Sequence, residues 1–374
     1  MQYDFMIIGG GLAGLATAHF LTARGAGNVL LLEKESIPGL HSSGRSAAMI
    51  MQVPKDPVLG RLSRRGMQHL SLFEESWHEG IGLTQNGSIL MGTNEDMEGY
   101  EASVRDAIKA GVAAEFIDGA QCAHLVPVLA PSEIESGIHC PSDGWVNVEL
   151  LLRGLAQQCR ESGRFTMITG IEVEEVVTLD GAVQGVRTNH DRFDAPVIVN
   201  AAGLWAAEVG RMAGGLMPPL ACYRRHAFVT IPTRSEAESW PIAWNISEGL
   251  MFRPHEGGLL MCVCDDAMMA PADYGVNSKV KRQLRETAGR LAPSISPPQI
   301  DHAWVGLRST TPDRRPLVGA DPLVRGLFWM AGLGSHGVAT CSAAGEIAAE
   351  LLTGGRPSVA PALEPGRFAL QATS

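Results

Sequence analysis

The order of apolar and polar positions in the first 33 residues predicts a strand, a glycine turn, a helix and a second strand. Residues 3–8 form a short apolar run, and a helical spacing of apolar positions begins at Leu15. A second apolar run covers residues 29–32 and ends at Glu33. Two strands joined by a helix are typical of a βαβ unit with parallel strands, so the chain opens as an α/β domain.

The remaining pattern divides into helical pieces and blocks rich in strands. Helices are predicted at 62–80, 98–111, 148–162, 277–291 and 337–352, and another helix start at Ser46. Strands are predicted at 171–177, 182–188, 197–199, 303–308 and 327–331, and across most of 220–265. Asn86-Gly87 predicts a hairpin within residues 84–92. We therefore predict an α/β domain of residues 1–80, 145–215 and 315–374 beside a second domain of 81–144 and 216–314.

The turn after the first strand carries the spacing G-x-G-x-x-G at Gly9, Gly11 and Gly14. These glycines permit a tight turn, a close approach of the backbone to a pyrophosphate, and close packing of helix on strand. The helix N-terminus offers free N–H groups to phosphates. Glu33 follows Gly14 by 19 residues, near the ~20 expected for the acid that holds a ribose, and its charge disfavours NADP. The unit predicts a dinucleotide site, the alternative being a turn without a ligand.

Composition narrows the class of protein. The 374 residues are 45% hydrophobic and 19% charged, which is typical of a globular chain. A net charge of −10 argues against nucleic acid as a partner. Without a basic leader or an apolar run of ~20 residues, we expect a cytoplasmic protein with at most peripheral membrane contact. Seven scattered cysteines predict free thiols, and Cys262 and Cys264 lack companions for a metal site, so no metal is expected.

Four segments together resemble the superfamily of FAD-dependent D-amino-acid oxidases and dehydrogenases. They are GGGLAG at 9–14 with Glu33, HSSGRSAA at 41–48, VIVNAAGLWA at 197–206, and the stretches at 304–319 and 328–346. The likeness is greatest to bacterial D-arginine dehydrogenase and more distant to glycine oxidase and monomeric sarcosine oxidase. It implies an α/β fold in which a Rossmann-like FAD-binding domain, the first domain above, stands beside an α+β substrate domain built on an antiparallel sheet.

The resemblance also implies which residues meet the cofactor and the substrate. The cofactor-binding residues would be Gly9, Gly11, Leu12, Ala13, Gly14, Glu33, Lys34, Ser42, Ser43, Arg45, Ser46, Ala47, Val173, Ala201, Ala202, Gly203, Trp205, Arg308, Gly334, His336, Gly337, Val338 and Ala339. Arg308 matches an arginine that binds the substrate carboxylate, and its planar fork of donors suits that group. A structural salt bridge is the alternative. His336 is the nearest acid–base candidate, or else a loop histidine bonded to backbone.

Other positions indicate the kind of substrate. Of two adjacent arginines on a strand only one can face the site, and we favour Arg225 over Arg224. Met49, Met51 and Met251 stand where the arginine enzyme is polar, and they favour an apolar side chain unless they only fill the core. The remaining substrate-binding positions implied by the resemblance are Ser88, which replaces the acid that grips a guanidinium, and Ser335. A buried guanidinium without a partner is costly, so D-arginine is disfavoured.

The expected reaction is oxidation of a D-amino acid with an apolar or neutral side chain. Hydride would pass from the α-carbon to flavin N5, and the imino acid would hydrolyse to a 2-oxo acid and ammonia. The alternatives are a secondary amine or N-substituted glycine, a 2-hydroxy acid, and an FAD-binding protein without turnover. Residues 305–307 contain no cysteine, so we expect non-covalent FAD, and residues 259–266 contain no lysine, which favours an organic electron acceptor over O2.

Overall fold

A computed structural model describes residues 2–232 and 235–373, so the terminal residues of the predicted ranges 1–80 and 315–374 lie outside it. The α-helices are α1 (Leu12–Ala23), α2 (Pro57–Ser76), α3 (Asn94–Met97), α4 (Glu101–Lys109), α5 (Gly119–Leu125), α6 (Val148–Glu161), α7 (Ala206–Met212), α8 (Ser278–Leu291) and α9 (Gly337–Leu352). Within the described ranges, no helix has the length and apolar character needed to cross a bilayer.

The strands form two large sheets and two small ones. In chain order they are β1 (Phe5–Ile8), β2 (Val29–Glu33), β3 (Met49–Ile50), β4 (Ser88–Gly92), β5 (Glu115–Asp118), β6 (Ser136–Cys140), β7 (Gly144–Trp145), β8 (Phe165–Thr169), β9 (Val173–Leu179), β10 (Ala182–Thr188), β11 (Arg192–Asp194), β12 (Ile198–Asn200), β13 (Ala221–Thr230), β14 (Ile242–Asn245), β15 (Leu250–His255), β16 (Gly258–Cys262), β17 (Ile300–Thr310), β18 (Leu317–Ala320) and β19 (Leu327–Ala331).

The first sheet has six strands in the order β18-β19-β12-β1-β2-β8, all parallel except β18. Alternate residues of each strand point to opposite faces. Ile7 and Leu31 pack against α1, α6 and α9, whereas Met6 and Leu30 pack toward the sheet β11-β10-β9 and α7. These layers confirm the Rossmann-like α/β fold, and every strand of this sheet comes from the segments predicted for the first domain.

The second sheet has eight strands in the order β17-β13-β16-β15-β14-β4-β6-β5. Its pairs are antiparallel except β4 with β14, which run parallel, so the prediction of an antiparallel sheet needs that correction. All eight strands lie in the segments predicted for the second domain. One face packs on α5 and α8 through residues such as Phe252 and Met261. The other face turns Met251 and Cys262 toward the α/β domain.

Two local predictions are wrong. Asn86-Gly87 does not close a hairpin, because β4 pairs with the distant β6 and β14, and the Asn86 amide donates to the Glu238 carbonyl at 2.7 Å. No helix starts at Ser46, where the chain stays irregular until β3. The helix begins instead at Pro57, because the Asp56 carboxylate accepts the N–H groups of the following turn.

Helix α9 lies wedged between α1 and α2, and close backbone approach sets its position. A Cβ on Gly66 of α2 would lie 1.8 Å from the Ala339 carbonyl oxygen, and a Cβ on Gly345 would lie 2.7 Å from the Ala16 carbonyl carbon. No side chain fits at such distances, so both glycines hold the helices at contact. The arrangement fixes the N-terminus of α9, with His336 just before it, at the edge of the first sheet.

Candidate active site

An elongated crevice runs along the carboxyl ends of β1, β2 and β12 and then between the two large sheets. It consists of two cavities, of about 390 Å³ and 220 Å³, that share part of their walls. The shared residues are Gly11, Ser42, Ser43, Ala201 and Gly203. The carboxyl edge of a parallel sheet is where α/β folds bind their ligands.

The turn between β1 and α1 is shaped for close contact with a ligand. Gly9 has φ +111°, and a Cβ there would lie 2.4 Å from the Ala201 carbonyl oxygen. Helix α1 has no side-chain N-cap, although the Ser43 hydroxyl accepts the Leu12 N–H at 3.1 Å. The turn and helix start thus leave backbone donors at the crevice, as a pyrophosphate requires.

Glu33 and Gly14 stabilise this turn. Glu33 is 9% exposed, and its carboxylate accepts the N–H groups of Gly10 at 2.6 Å and Glu35 at 2.8 Å. Gly14 lines neither cavity, since a Cβ on it would lie 2.0 Å from the Gly9 carbonyl oxygen. The predicted cofactor contact at Gly14 is therefore corrected to a packing role that brings helix and turn together.

The larger cavity has a polar and aromatic wall. The predicted cofactor residues that line it are Gly9, Gly11, Glu33, Lys34, Ser42, Ser43, Val173, Ala201, Ala202, Gly203 and Trp205. The Lys34 ammonium pairs with Glu172 at 2.7 Å and lies 5.8 Å from the centre of the Trp205 ring. His41, which the sequence analysis did not assign, meets the same ring edge-on at 4.7 Å between ring centres. This end suits a nucleoside.

The smaller cavity gathers most of the other predicted residues. Those that line it are Leu12, Ala13, Arg45, Ser46, Ala47, Met49, Met51, Arg225, Met251, Arg308, Gly334, Ser335, His336, Gly337, Val338 and Ala339. Ser88, like Gly14, lines neither cavity, and the structure does not support its predicted substrate contact. Ser88 is 2% exposed, and its hydroxyl donates to the buried Asp143 carboxylate at 2.7 Å, so its side chain lies in the protein interior.

Two guanidinium groups face this cavity from neighbouring strands. In the register of β13 with β17, Arg225 lies opposite Gly306 and Tyr223 opposite Arg308, so the two arginines are diagonal neighbours on one face. Arg224 points to the other face and pairs with Asp265 at 3.2 Å. Burial and the charge of Arg225 lower the pKa of Arg308. Such a pair favours an anion between or beside the two groups.

The segment that follows β16 supplies carboxylates to the cavity arginines from outside. Asp266 accepts a hydrogen bond from Arg308 at 2.6 Å, and Asp273 accepts one from Arg45 at 2.5 Å. Both carboxylates are largely exposed, whereas the Arg308 side chain is only 13% exposed. The Asp266 carboxylate thus already accepts a hydrogen bond from the Arg308 guanidinium, as a substrate carboxylate would.

Beside the arginines the cavity wall is apolar. Met49, Met51, Met251 and Trp244 of β14 line it, and Met251 and Trp244 lie opposite each other on the sheet face that carries the arginines. No aspartate or glutamate stands among the described residues that line this cavity. Trp244 was not predicted as a site residue, although it lies opposite Met251 in the pairing of β14 with β15 and alternation along the strand is a usable signal.

His336 is neutral at pH 7. Burial lowers its pKa to about 4, and the nearby Arg314 contributes to the shift. Its carbonyl accepts the Thr340 hydroxyl at 2.8 Å, which stabilises the first turn of α9. A histidine with so low a pKa is a weak base, so this side chain is suited to hydrogen bonding rather than to storing a proton.

The crevice fits FAD. The cradle at Gly9, the uncapped start of α1 and the acid at Glu33 suit a dinucleotide. Small residues at Ala47, Ala201 and Gly334 leave room for a flat ring where the two cavities join the arginine face. The fold and the crevice together define a flavin-dependent oxidoreductase.

The chain belongs to the FAD dependent oxidoreductase family, which it matches over residues 4–351, and its cofactor is FAD. Mitochondrial sarcosine dehydrogenase of Mus musculus is 25% identical over 95% of this chain but only 40% of its own length. The chain thus spans less than half of that relative. L-proline dehydrogenase from P. horikoshii has a similar fold (TM-score 0.91, 24% identity, 99% and 98% of the two chains). Glycine oxidase from Geobacillus kaustophilus gives a TM-score of 0.82 at 22% identity, over 96% of each chain.

Proposed function

We propose that this chain oxidises a secondary or N-methylated amino acid and holds its carboxylate with Arg308 and Arg225. The supporting observation is a cavity with two converging guanidinium groups, an apolar wall and no carboxylate in its described lining. This reading replaces a primary D-amino acid as the favoured substrate. It is also in keeping with relatives named for sarcosine and proline, both secondary amines.

The nature of the wall separates N-substituted from primary amines. A primary amine brings more N–H donors than a secondary one, and each donor left unsatisfied in a closed site costs about 1–3 kcal/mol. An N-methyl or ring methylene against Met49, Met51 and Met251 instead gains about 0.8 kcal/mol for each buried CH2. Both effects favour the N-substituted substrate, together by roughly 10-fold or more in binding.

The protein's own part in the reaction is orientation and exclusion of water. FAD, when bound, accepts the two electrons and the hydrogen removed from the carbon beside nitrogen. Arg308 and Arg225 fix the carboxylate end, and the methionine wall limits where the amine can lie. With its low pKa, His336 is suited to act as a neutral hydrogen-bonding partner. No protein base is needed when the substrate binds as the free amine.

A matched substrate panel tests the proposal. Anaerobic loss of the oxidised-flavin absorbance is followed with sarcosine against glycine, N-methyl-alanine against alanine, and L- and D-proline, D-leucine, D-arginine and lactate. We expect at least one N-substituted compound to reduce the flavin with an efficiency about 10-fold or more above its primary partner. Reduction by D-leucine but by no N-substituted compound would restore the D-amino acid, and reduction by lactate alone would favour a 2-hydroxy acid.

We further propose that the FAD is non-covalent and that an organic acceptor reoxidises it. Residues 305–307 offer no cysteine for a flavin bond, and β16 with the residues after it offers no lysine beside the cavity. Acid precipitation should leave the yellow colour in the supernatant. Turnover with a quinone-like dye should exceed turnover with O2, and the opposite order would make the protein an oxidase. Location in the cytoplasm stays a prediction.

A further inference from the structure

Two thiols in the cavity wall have no part in the function proposed above. Cys262 ends β16 and lies opposite Met251 of β15, and Cys264 follows with φ +53°. The Cys262 sulfur accepts the backbone N–H of Cys264 at 3.2 Å and the Nη1–H of Arg225 at 3.8 Å. One sulfur that accepts from two donors, one of them charged, is in a setting that favours the thiolate over the thiol.

Among the described residues, no aspartate or glutamate forms an ion pair with Arg225, although the charge of Asp265 acts on it from a greater distance. Its Nε is buried with no hydrogen-bond partner, and the nearby Asp265 carboxylate is bound by Arg224 and His226. A buried cation without an opposite charge is costly. A negative charge on the Cys262 sulfur supplies that opposite charge from within the cavity wall.

We propose that Cys262 is a thiolate in the resting protein, the counter-ion of Arg225, and a nucleophilic site for small soft electrophiles that reach it through the cavity. One part of this proposal rests on the proposed function. A substrate carboxylate that binds Arg225 competes with the Cys262 sulfur for the guanidinium and shields the sulfur from reagents.

Titration behaviour agrees with this geometry. Burial alone would raise the pKa of Cys262, but its hydrogen bond with Cys264 and the charge of Arg225 outweigh burial and hold the pKa below the usual thiol value. The other charged groups beside it are Arg308, which favours the thiolate, and the carboxylates Asp265 and Asp266, which oppose it. Every other cysteine has a raised pKa, namely Cys122, Cys140, Cys159, Cys222, Cys264 and Cys341. Cys264 is the hydrogen-bonded neighbour of Cys262, so the other five cysteines are the internal controls.

The test uses the FAD-loaded protein and methyl methanethiosulfonate. The Cys262 sulfur attacks the sulfenyl sulfur, a mixed disulfide forms, and methanesulfinate leaves with the electron pair of the broken S–S bond. Peptide mass spectrometry follows the rate between pH 5 and 9. We expect labelling at Cys262 alone, with a midpoint well below the ordinary thiol value of about 8.5. Arg225→Met should raise the midpoint by at least about one pH unit, whereas Arg224→Met, its neighbour on the other face, should leave it unchanged.

A midpoint near the ordinary thiol value of about 8.5, or one that ignores Arg225→Met, would overturn the proposal. If bound FAD shields the sulfur from the reagent, infrared spectroscopy tests the protonation state without any reagent. A thiolate has no S–H stretching band, so the spectra of wild type and Cys262→Ser at pH 7.5 should have equal S–H absorbance. A band that is present in wild type and absent in Cys262→Ser would show that Cys262 is a neutral thiol. Failure of the two proposals is distinguishable. If the labelling midpoint is low, but no N-substituted amino acid protects Cys262 from the reagent or reduces the flavin, the thiolate proposal stands and the proposed function is refuted.

Discussion

Replacement of Arg308 by methionine tests the proposed substrate site most directly. The side chain is 13% exposed and already donates to a carboxylate, that of Asp266, at 2.6 Å. Hydrogen bonds to charged groups contribute about 1.5–3 kcal/mol, which corresponds to roughly 10-fold to 150-fold in the substrate dissociation constant. Because Arg225 remains, we expect weaker binding rather than none. Lysine at this position keeps the charge but loses the two-pronged geometry, so the substrate dissociation constant of Arg308→Lys should lie between those of wild type and Arg308→Met.

The assay is anaerobic stopped-flow reduction of the bound flavin over a range of substrate concentrations. The concentration dependence gives the dissociation constant, and the plateau gives the rate of the chemical step. Arg290→Met serves as the matched control, because this exposed arginine of α8 pairs with Glu248 away from the crevice. Its constants should stay within about 2-fold of wild type, as is usual for surface ion pairs.

A second ligand makes the result decisive. The amide of the substrate lacks the negative carboxylate, so wild type should bind it far more weakly, and Arg308→Met should discriminate little between acid and amide. The assignment of Arg308 is refuted if the variant binds the acid as tightly as wild type does. It is also refuted if the variant weakens acid and amide equally, because the lost interaction would then not involve the carboxylate.

Substitutions at Gly9, His336 and Asp266 test three other features of the crevice. Gly9→Ala should lose FAD on gel filtration, seen as a lower ratio of flavin to protein absorbance, because its Cβ would lie 2.4 Å from the Ala201 carbonyl oxygen; full retention contradicts the cradle. The pKa of His336 is about 4 in the folded protein, below its ordinary value of 6.5, so between these pH values the unfolded chain binds more protons. The free energy of unfolding, measured by urea titration, should therefore fall as the pH drops from 6.5 toward 4, and His336→Gln should weaken this pH dependence. Asp266→Asn should tighten substrate binding by about 1.4-fold to 5-fold by freeing Arg308, and weaker binding would show that the carboxylate helps.

The parts of the site that sequence could predict depend on short-range spacing. Gly9, Gly11 and Glu33 belong to one βαβ unit, in which helix and strand geometry sets the distances. Alternation along a strand predicted that only one of Arg224 and Arg225 faces the site, and the pairing of β13 with β17 shows that it is Arg225. Local patterns also predicted the βαβ unit and the strands within residues 220–265, whereas β5 and β6 were not predicted.

What sequence could not supply depends on contacts between distant segments. Ser88 does not line the cavity because its hydroxyl donates to Asp143, which is 55 residues away in the sequence. The hairpin expected at Asn86-Gly87 failed for the same reason, since its turn chemistry is local and the partners of β4 are not. The substrate class proposed above likewise depends on the whole wall, whose described residues include no carboxylate.

The parallel contact of β4 with β14 has a consequence for how the chain acquires its shape. Residues 88–140 and 221–310 contribute three and five strands to one sheet, and this contact joins them across about 150 residues of sequence. During synthesis, the edge of β4 stays open until β14 emerges, and an open edge is a template for wrong pairing. Arg308 lies on β17, the last strand of this sheet in chain order, so the arginine face cannot form before β17 is made, and until β14 is made one edge of β4 has no partner.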